Sequence, residues 1–462
     1  MAERLKVENP ATNSIYITLD TMPADEISEA IVKAHEAHLQ WRKVPVKERV
    51  EVTRRFFQLV LDNTERTAEE ITKQMGKPLW QAKKEVMGCT IRGGHMAEIA
   101  EESLKDIITI STDTAFRKIV LEPKGVVVDI ASWNYPLLVA VSAIVPAVLS
   151  GNAVLIKHSS QTPLCGLMFE RLFRKAGVPD GLVTAIVADR ASSAALFESP
   201  LIKGIFFTGS VEGGYQVNRQ ASGLLADIGL ELGGKDPAYV RADADLATAI
   251  PALADSAFYN TGQSCCAVER IYVHESLYEK FVAGFLDEVK QYRYGDPMDD
   301  NTYIGPLTQR KQLKVLAEQT EEASARGAEL LLGGNITSVN GKGNFFEPTV
   351  FAGVANDMKL MQDESFGPII GIMPTGGDED AVRLMNDSRF GLTASVWTKD
   401  KAKALELAPM IETGTVYMNR ADYVEPELAW TGVKESGKGC TLSQLGFIHM
   451  TQPKSYCFKT GD

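Results

Sequence analysis

The sequence predicts an α/β protein whose strands lie parallel and are covered on both faces. Short runs rich in Val and Ile recur from residue 126 onward: Val126-Val127-Val128-Asp129-Ile130, Val154-Leu155-Ile156, Leu182 to Val187, and Ile205-Phe206-Phe207. Helical stretches stand between them, opening near Pro136, Pro163 and Ser210. The runs carry few polar residues, as buried parallel strands do.

Taken in order, the first twenty residues read as extended. Asn9-Pro10-Ala11-Thr12 makes a turn, and Ile15, Ile17 and Leu19 alternate. From Asp25 to about Glu85 the pattern is helical, with Ile27, Ile31, Ala34 and Trp41, then Val50, Thr53, Phe57 and Val60, at helical spacing. Leu137 to Ile156 is almost wholly apolar and about as long as a membrane span. Pro146 and Ser150-Gly151-Asn152 divide it into a buried helix and a buried strand. A further helix is expected before Ile205. A second alternating region runs from about 235 to about 430. Within the tail, 441–462, Ser455-Tyr456-Cys457-Phe458 alternates as a strand suited to pairing with a partner subunit.

With 462 residues, 45% hydrophobic and 23% charged, the chain has room for more than one domain. A net charge of -12 argues against nucleic acid as the main partner. Six cysteines in so long a chain suggest a reducing compartment, and Met1 to Lys6 lacks an apolar signal core, so the cytoplasm is expected. No metal is expected: His35 and His38 read as the polar face of a helix. Gly341-Lys342-Gly343 lacks the rest of a phosphate loop.

Ligands of parallel sheets sit beyond the carboxyl ends of the strands. Trp133-Asn134, Lys157 and Gly209-Ser210 each follow a strand closely and project toward that edge. The helix opening near Ser210 can turn its N-terminus toward a pyrophosphate. Two further cues carry chemistry. Cys265, in Phe258-Tyr259-Asn260-Thr261-Gly262-Gln263-Ser264-Cys265-Cys266, is a candidate nucleophile, and Glu231, in Leu230-Glu231-Leu232-Gly233-Gly234-Lys235, a candidate base. Together they are the parts needed for covalent acyl chemistry ended by hydrolysis.

These segments, with Ser132-Trp133-Asn134-Tyr135-Pro136, Phe207-Thr208-Gly209-Ser210 and Glu364-Ser365-Phe366-Gly367-Pro368, stand in an order and at spacings that resemble the aldehyde dehydrogenase superfamily, in its hydrolytic branch. The resemblance covers almost the whole chain. It implies a Rossmann-type cofactor-binding domain (1–105 and 124–232), an α/β catalytic domain (233–435) and a bridging β element for oligomerisation (106–123 and 436–462). It implies a homodimer or homotetramer. It makes Cys265 the nucleophile, Glu231 the activator of the hydrolytic water and Asn134 an oxyanion donor beside the Cys265 backbone N–H. It builds an NAD(P)+ site from Trp133, Lys157, Ser160, Gly209, Ser210, Gly214, Leu232, Glu364 and Phe366. Relatives that prefer NAD commonly carry a Glu three residues past the lysine. Ser160 stands there without charge, so NADP+ is expected to be accepted and even preferred. The competing readings are a coenzyme-A-acylating enzyme, which would not need Glu231, and a non-catalytic binding relative.

The nearest likeness is to the short succinate-semialdehyde dehydrogenases. Those usually carry an arginine eight residues after the oxyanion Asn; here it is Ser142, whose hydroxyl cannot form the charged fork that grips a carboxylate. The expected aldehyde pocket comprises Tyr135, Ser142, Tyr259, Ser264, Cys266 and Tyr423. A small Ser142 suggests a wide mouth. The late loop, with Asp422, Tyr423, Glu425, Glu427 and Trp430, suggests a cationic aldehyde, or else a bulky apolar or aromatic one.

Overall fold

A computed structural model describes residues 4–459. The outermost three residues of the expected segments 1–105 and 436–462 therefore lie outside the described residues. The fold is α/β, as the sequence predicts. The first sheet runs, edge to edge, Gly437–Lys438, Asp227–Glu231, Ile202–Thr208, Val126–Ile130, Ala153–Ile156 and Val183–Ala185. Its strands are parallel except Gly437–Lys438, which runs antiparallel to Asp227–Glu231. From Val126–Ile130 the chain steps outward through two strands and then crosses back to Ile202–Thr208. The order reverses there, and such a switch point opens a ligand crevice.

Helix Pro136–Ser150 is buried along most of its length against this sheet. It ends at Gly151, whose φ of 96° suits glycine. The helical segment before it holds that end: the Trp41 indole donates to Val148 O (2.9 Å), Arg49 to Leu149 O (2.6 Å), and His38 Nδ1 lies 2.9 Å from Gly151 O. That segment comprises Ala24–Trp41, Val46–Asp62, Thr64–Met75 and Leu79–Ser103, so it runs well past Glu85. No described helix is long and apolar enough to cross a membrane.

The second sheet runs Glu329–Leu332, Thr349–Ala352, Ile369–Thr375, Val268–His274, Asp236–Val240, Thr393–Trp397 and Thr415–Met418. All but the first edge pair are parallel. The chain passes between the two sheets twice, through residues 232–235 and again through residues 419–436, so the side chains on these links lie where the sheets meet.

Two expectations need correction. The helix before Ile205 is only a short 3-10 turn, Ser192–Phe197, cut off by Glu198-Ser199-Pro200, because the residue before proline disfavours helix. The tail does not leave the first sheet at 436: Gly437–Lys438 forms its edge, and helix Ser443–Ile448 packs on helices Leu79–Ser103 and Pro136–Ser150. Only Thr451–Lys459 joins Ala115–Pro123 and Ile107–Ser111 in a separate three-stranded sheet.

Candidate active site

Helix Leu246–Phe258 is followed by three left-handed residues, Asn260 (φ 53°), Thr261 (φ 61°) and Gly262 (φ 69°). Their surroundings fix this uncommon backbone. Asn260 Nδ2 donates to Asn134 O (3.0 Å) and Gln263 O (3.1 Å), and Thr261 Oγ1 accepts from Gly305 N (2.9 Å). A Cβ at Gly262 would lie 2.3 Å from Gly367 O, so only glycine fits. The turn delivers Cys265, half-buried, ahead of strand Val268–His274. Beside it Asp422 Oδ1 accepts from Ser264 Oγ (2.6 Å) and Cys266 Sγ (3.3 Å). Burial pushes the Asp422 carboxyl up to about 6. Its hydrogen bond with Cys265, then burial, holds the Cys266 thiol well above its usual range.

Asn134 follows strand Val126–Ile130. Its Nδ2 donates to Gln263 O (3.1 Å) and its Oδ1 accepts from Ser132 Oγ (2.7 Å), which fixes the amide toward the loop of Cys265. Glu231 ends strand Asp227–Glu231 and accepts from Thr441 Oγ1 (2.5 Å). Burial raises its pKa; the Thr441 hydroxyl, the charge of Arg92 and the Trp430 side chain oppose that rise. A cleft of about 330 Å³ is lined by Cys265, Glu231 and all the expected pocket residues, Tyr135, Ser142, Tyr259, Ser264, Cys266 and Tyr423. Asn134 is 4% exposed and is not among the residues that line it.

The expected cofactor residues fall in two groups. Lys157 and Ser160 line a groove of about 460 Å³ together with Arg190 and Gly213. Ser210 caps helix Val211–Gln220 by accepting from Gly213 N (3.2 Å), so Gly209 and Ser210 stand at its N-terminus. A Cβ at Gly214 would meet Leu232 at 2.6 Å, which seats the helix against the link between the sheets. Burial pushes the Lys157 ammonium down, opposed by Asp189. In the second group Trp133 and Phe366 meet edge to face at 5.5 Å. Glu364 accepts from Gly234 N (3.1 Å) and lies so close over Gly233 that a Cβ there would meet its carboxylate at 2.5 Å. Burial, then the charge of Glu269, raises Glu364 to about 7.

Several contributors escaped the sequence reading. Lys235 pairs with Glu269 (2.6 Å) and donates to Ser365 Oγ (2.9 Å), while Glu269 accepts from the backbone N–H groups of Ser365 (2.7 Å) and Phe366 (2.9 Å). This buried pair fixes the loop of Glu364 and Phe366. The Lys235 that closes the Glu-Leu-Gly-Gly-Lys run was its one visible trace. Arg92, on helix Leu79–Ser103, lines the cleft of Cys265 and donates from Nη1 to Leu138 O (2.8 Å) and Ser142 Oγ (3.3 Å).

The acidic mouth is not what the late loop suggested. Glu425 and Glu427 do not line the cleft, and the face of Tyr423 carries Arg420 at 3.3 Å. Asp422 turns inward beneath the cysteines. Nor does Ser142 widen the mouth: it is 6% exposed and lies under Arg92.

The profile of the aldehyde dehydrogenase family matches residues 1–456. The succinate semialdehyde dehydrogenase Sad of Escherichia coli (strain K12), whose name gives NAD(P)+ as cofactor, is 34% identical over 95% of this chain and 94% of its own. The NADP(+) succinate-semialdehyde dehydrogenase of Deinococcus radiodurans is 34% identical over 96% and 93%. Among solved structures, an NAD-dependent aldehyde dehydrogenase from Sinorhizobium meliloti superposes with a TM-score of 0.96 at 30% identity, covering 100% of this chain and 92% of that one.

Proposed function

This chain belongs to the aldehyde dehydrogenase family, and we propose that it oxidises an aldehyde to a carboxylic acid through a covalent intermediate on Cys265 that water then hydrolyses. The observation that carries this reading is the meeting of Cys265 and Glu231 on one cleft, with the Asn134 amide anchored at the loop of the nucleophile. Cys265 Sγ adds to the aldehyde carbon and forms a thiohemiacetal. Asn134 Nδ2 and the Cys265 backbone N–H stabilise the oxygen that gains charge, at about 3 kcal/mol for such a donor. Bound NAD(P)+ supplies the hydride acceptor that turns this adduct into a thioester. Glu231 takes a proton from the water that releases the acid; burial, by raising its pKa, makes it a better base near neutrality.

The groove beside helix Val211–Gln220 fits a nicotinamide nucleotide. Lys157 and Ser160 would hold the adenosine ribose, Gly209, Ser210 and the helix N-terminus beside Gly214 the pyrophosphate. Trp133, Leu232, Glu364 and Phe366 would hold the nicotinamide end. Ser160 brings no charge against a 2′-phosphate, and Lys157 and Arg190 on the same groove favour one, so NADP+ is accepted and preferred. The first sheet with its helices acts as the cofactor part and the second as the catalytic part. The three-stranded sheet of 107–111, 115–123 and 451–459 joins copies into a homodimer or homotetramer through its exposed Ile107, Ile108 and Phe458. We place the protein in the cytoplasm, where its free cysteines stay reduced.

The test is nicotinamide reduction with NAD+ and NADP+ over an aldehyde panel, with and without coenzyme A. Turnover without coenzyme A is expected; turnover only with it would overturn the role of Glu231.

A further inference from the structure

The cleft holds a cation that forms no ion pair with any carboxylate among the described residues, and we propose that this cation, Arg92, seats an anionic group, so that the substrate is a short aldehyde ending in a carboxylate. The proposal rests on the oxidation reading above and names the substrate class for it. Each acid that lines the cleft is already engaged. Glu85 pairs with Lys77 and accepts from Leu137 N (2.8 Å); Asp255 accepts from the Tyr303 hydroxyl. Asp422 holds Ser264 and Cys266, and Glu231 holds Thr441. The lining cations are not so engaged: among the described residues no carboxylate stands within ion-pairing distance of Arg92 or Lys84. Lys84, nearer the mouth, lies over the Trp80 ring at 4.7 Å.

Both hydrogen bonds of the Arg92 guanidinium come from Nη1. Nε and Nη2 have no acceptor among the described residues. A guanidinium keeps its charge even when burial opposes it. Glu231 acts on this charge only at a distance, and holding it half-buried without a directly paired counter-ion is costly. A substrate carboxylate would remove the cost through a charge-assisted fork. The position gives the assignment its meaning. The short succinate-semialdehyde dehydrogenases that the sequence resembles usually carry an arginine at this place, and this chain has Ser142. Arg92 reaches the same place from the facing helix, fastened by the hydroxyl of Ser142 and the carbonyl of Leu138.

The test compares succinate semialdehyde with butanal, which has the same chain length without the carboxylate. The wild-type protein should favour the carboxylate by about 100-fold in kcat/KM, mostly through KM. Arg92→Gln should erase that preference, Arg92→Lys should keep part of it, and Ser142→Arg placed in the Arg92→Gln protein should restore it. Equal use of the two aldehydes by wild type, or an unchanged preference in Arg92→Gln, overturns the proposal and leaves the oxidation reading standing. If folded protein binds nucleotide but oxidises neither aldehyde, the oxidation reading falls. Calorimetry with succinate then decides the seat: binding that Arg92→Gln loses supports it, and no binding by wild type overturns it. Should Arg92→Gln fail to fold, Arg92→Lys, which keeps the charge but not the fork, reads the same KM shift more weakly.

Discussion

Two cations, Lys235 buried and Arg92 half-buried, stand on either side of Cys265, and they are treated in opposite ways. Behind the nicotinamide end, Lys235 is 1% exposed, paired with Glu269 and bonded to Ser365. Across the cleft, Arg92 is bonded among the described residues to a carbonyl and a hydroxyl alone. A paired buried charge is a fastener: it locks the loop of Glu364 and Phe366 and is spent in doing so. An unpaired one at a cleft is a vacancy for ligand charge. Replacements on the first side should therefore cost stability, and those on the second should cost rate or selectivity.

The sharpest separation comes from the cleft. Cys265→Ala should lower aldehyde oxidation by about 10⁴-fold or more while leaving the unfolding free energy from urea titration within about 1 kcal/mol; a large loss of stability would mean that the cysteine is structural. On the opposite side, Lys235→Met should cost about 3–5 kcal/mol in denaturant unfolding, because Glu269 is left buried without its counter-ion. A cost as small as that of an exposed pair would erase the contrast. Glu231→Gln should reduce steady turnover about 10²- to 10⁴-fold while keeping a first burst of nicotinamide reduction that matches the number of sites. Losing the burst as well would place Glu231 before the thioester.

The smallest effect is a pH dependence at Glu364, whose pKa is raised to about 7. Its folded value lies above the ordinary carboxylate range, so the folded state binds the extra proton. The associated stability is present at low pH and is lost as pH rises through about 7. On the proposed role of Glu364, nucleotide binding runs the other way, because the ribose hydroxyl would be held by the carboxylate. The nucleotide KM should rise up to about tenfold from pH 8 to pH 6, and Glu364→Gln should flatten the profile.

What could be read from the sequence divides along the same line. Cys265, Glu231 and Asn134 sit in contiguous runs beside strand ends, where local pattern and chemistry coincide. The α/β class followed from the Val and Ile runs. Arg92 gave no such sign: it lies in an ordinary helical stretch, and its bonds reach residues 46 and 50 positions away. Asp422 was visible but pointed the wrong way. Its left-handed backbone (φ 46°) belongs to the turn that brings it under Ser264 and Cys266, which loop composition alone does not encode. The tail was split too early for the same reason: two residues, Gly437–Lys438, find their sheet partner more than 200 positions upstream.

Glu85 has a consequence of a different kind. Its carboxylate holds the first turn of helix Pro136–Ser150, just after Asn134, while Lys84, Gly88, Ile91 and Arg92 of the same helix line the cleft. One wall of the cleft therefore comes from a helix distant in sequence from Asn134 and Cys265, joined to their segments by Glu85 at Leu137, by Gln81 at Asn260 and by Arg92 at Leu138 and Ser142. A lineage can exchange the exposed face of that helix, one residue per step, and drift from one aldehyde to another while the chemical centre is inherited intact.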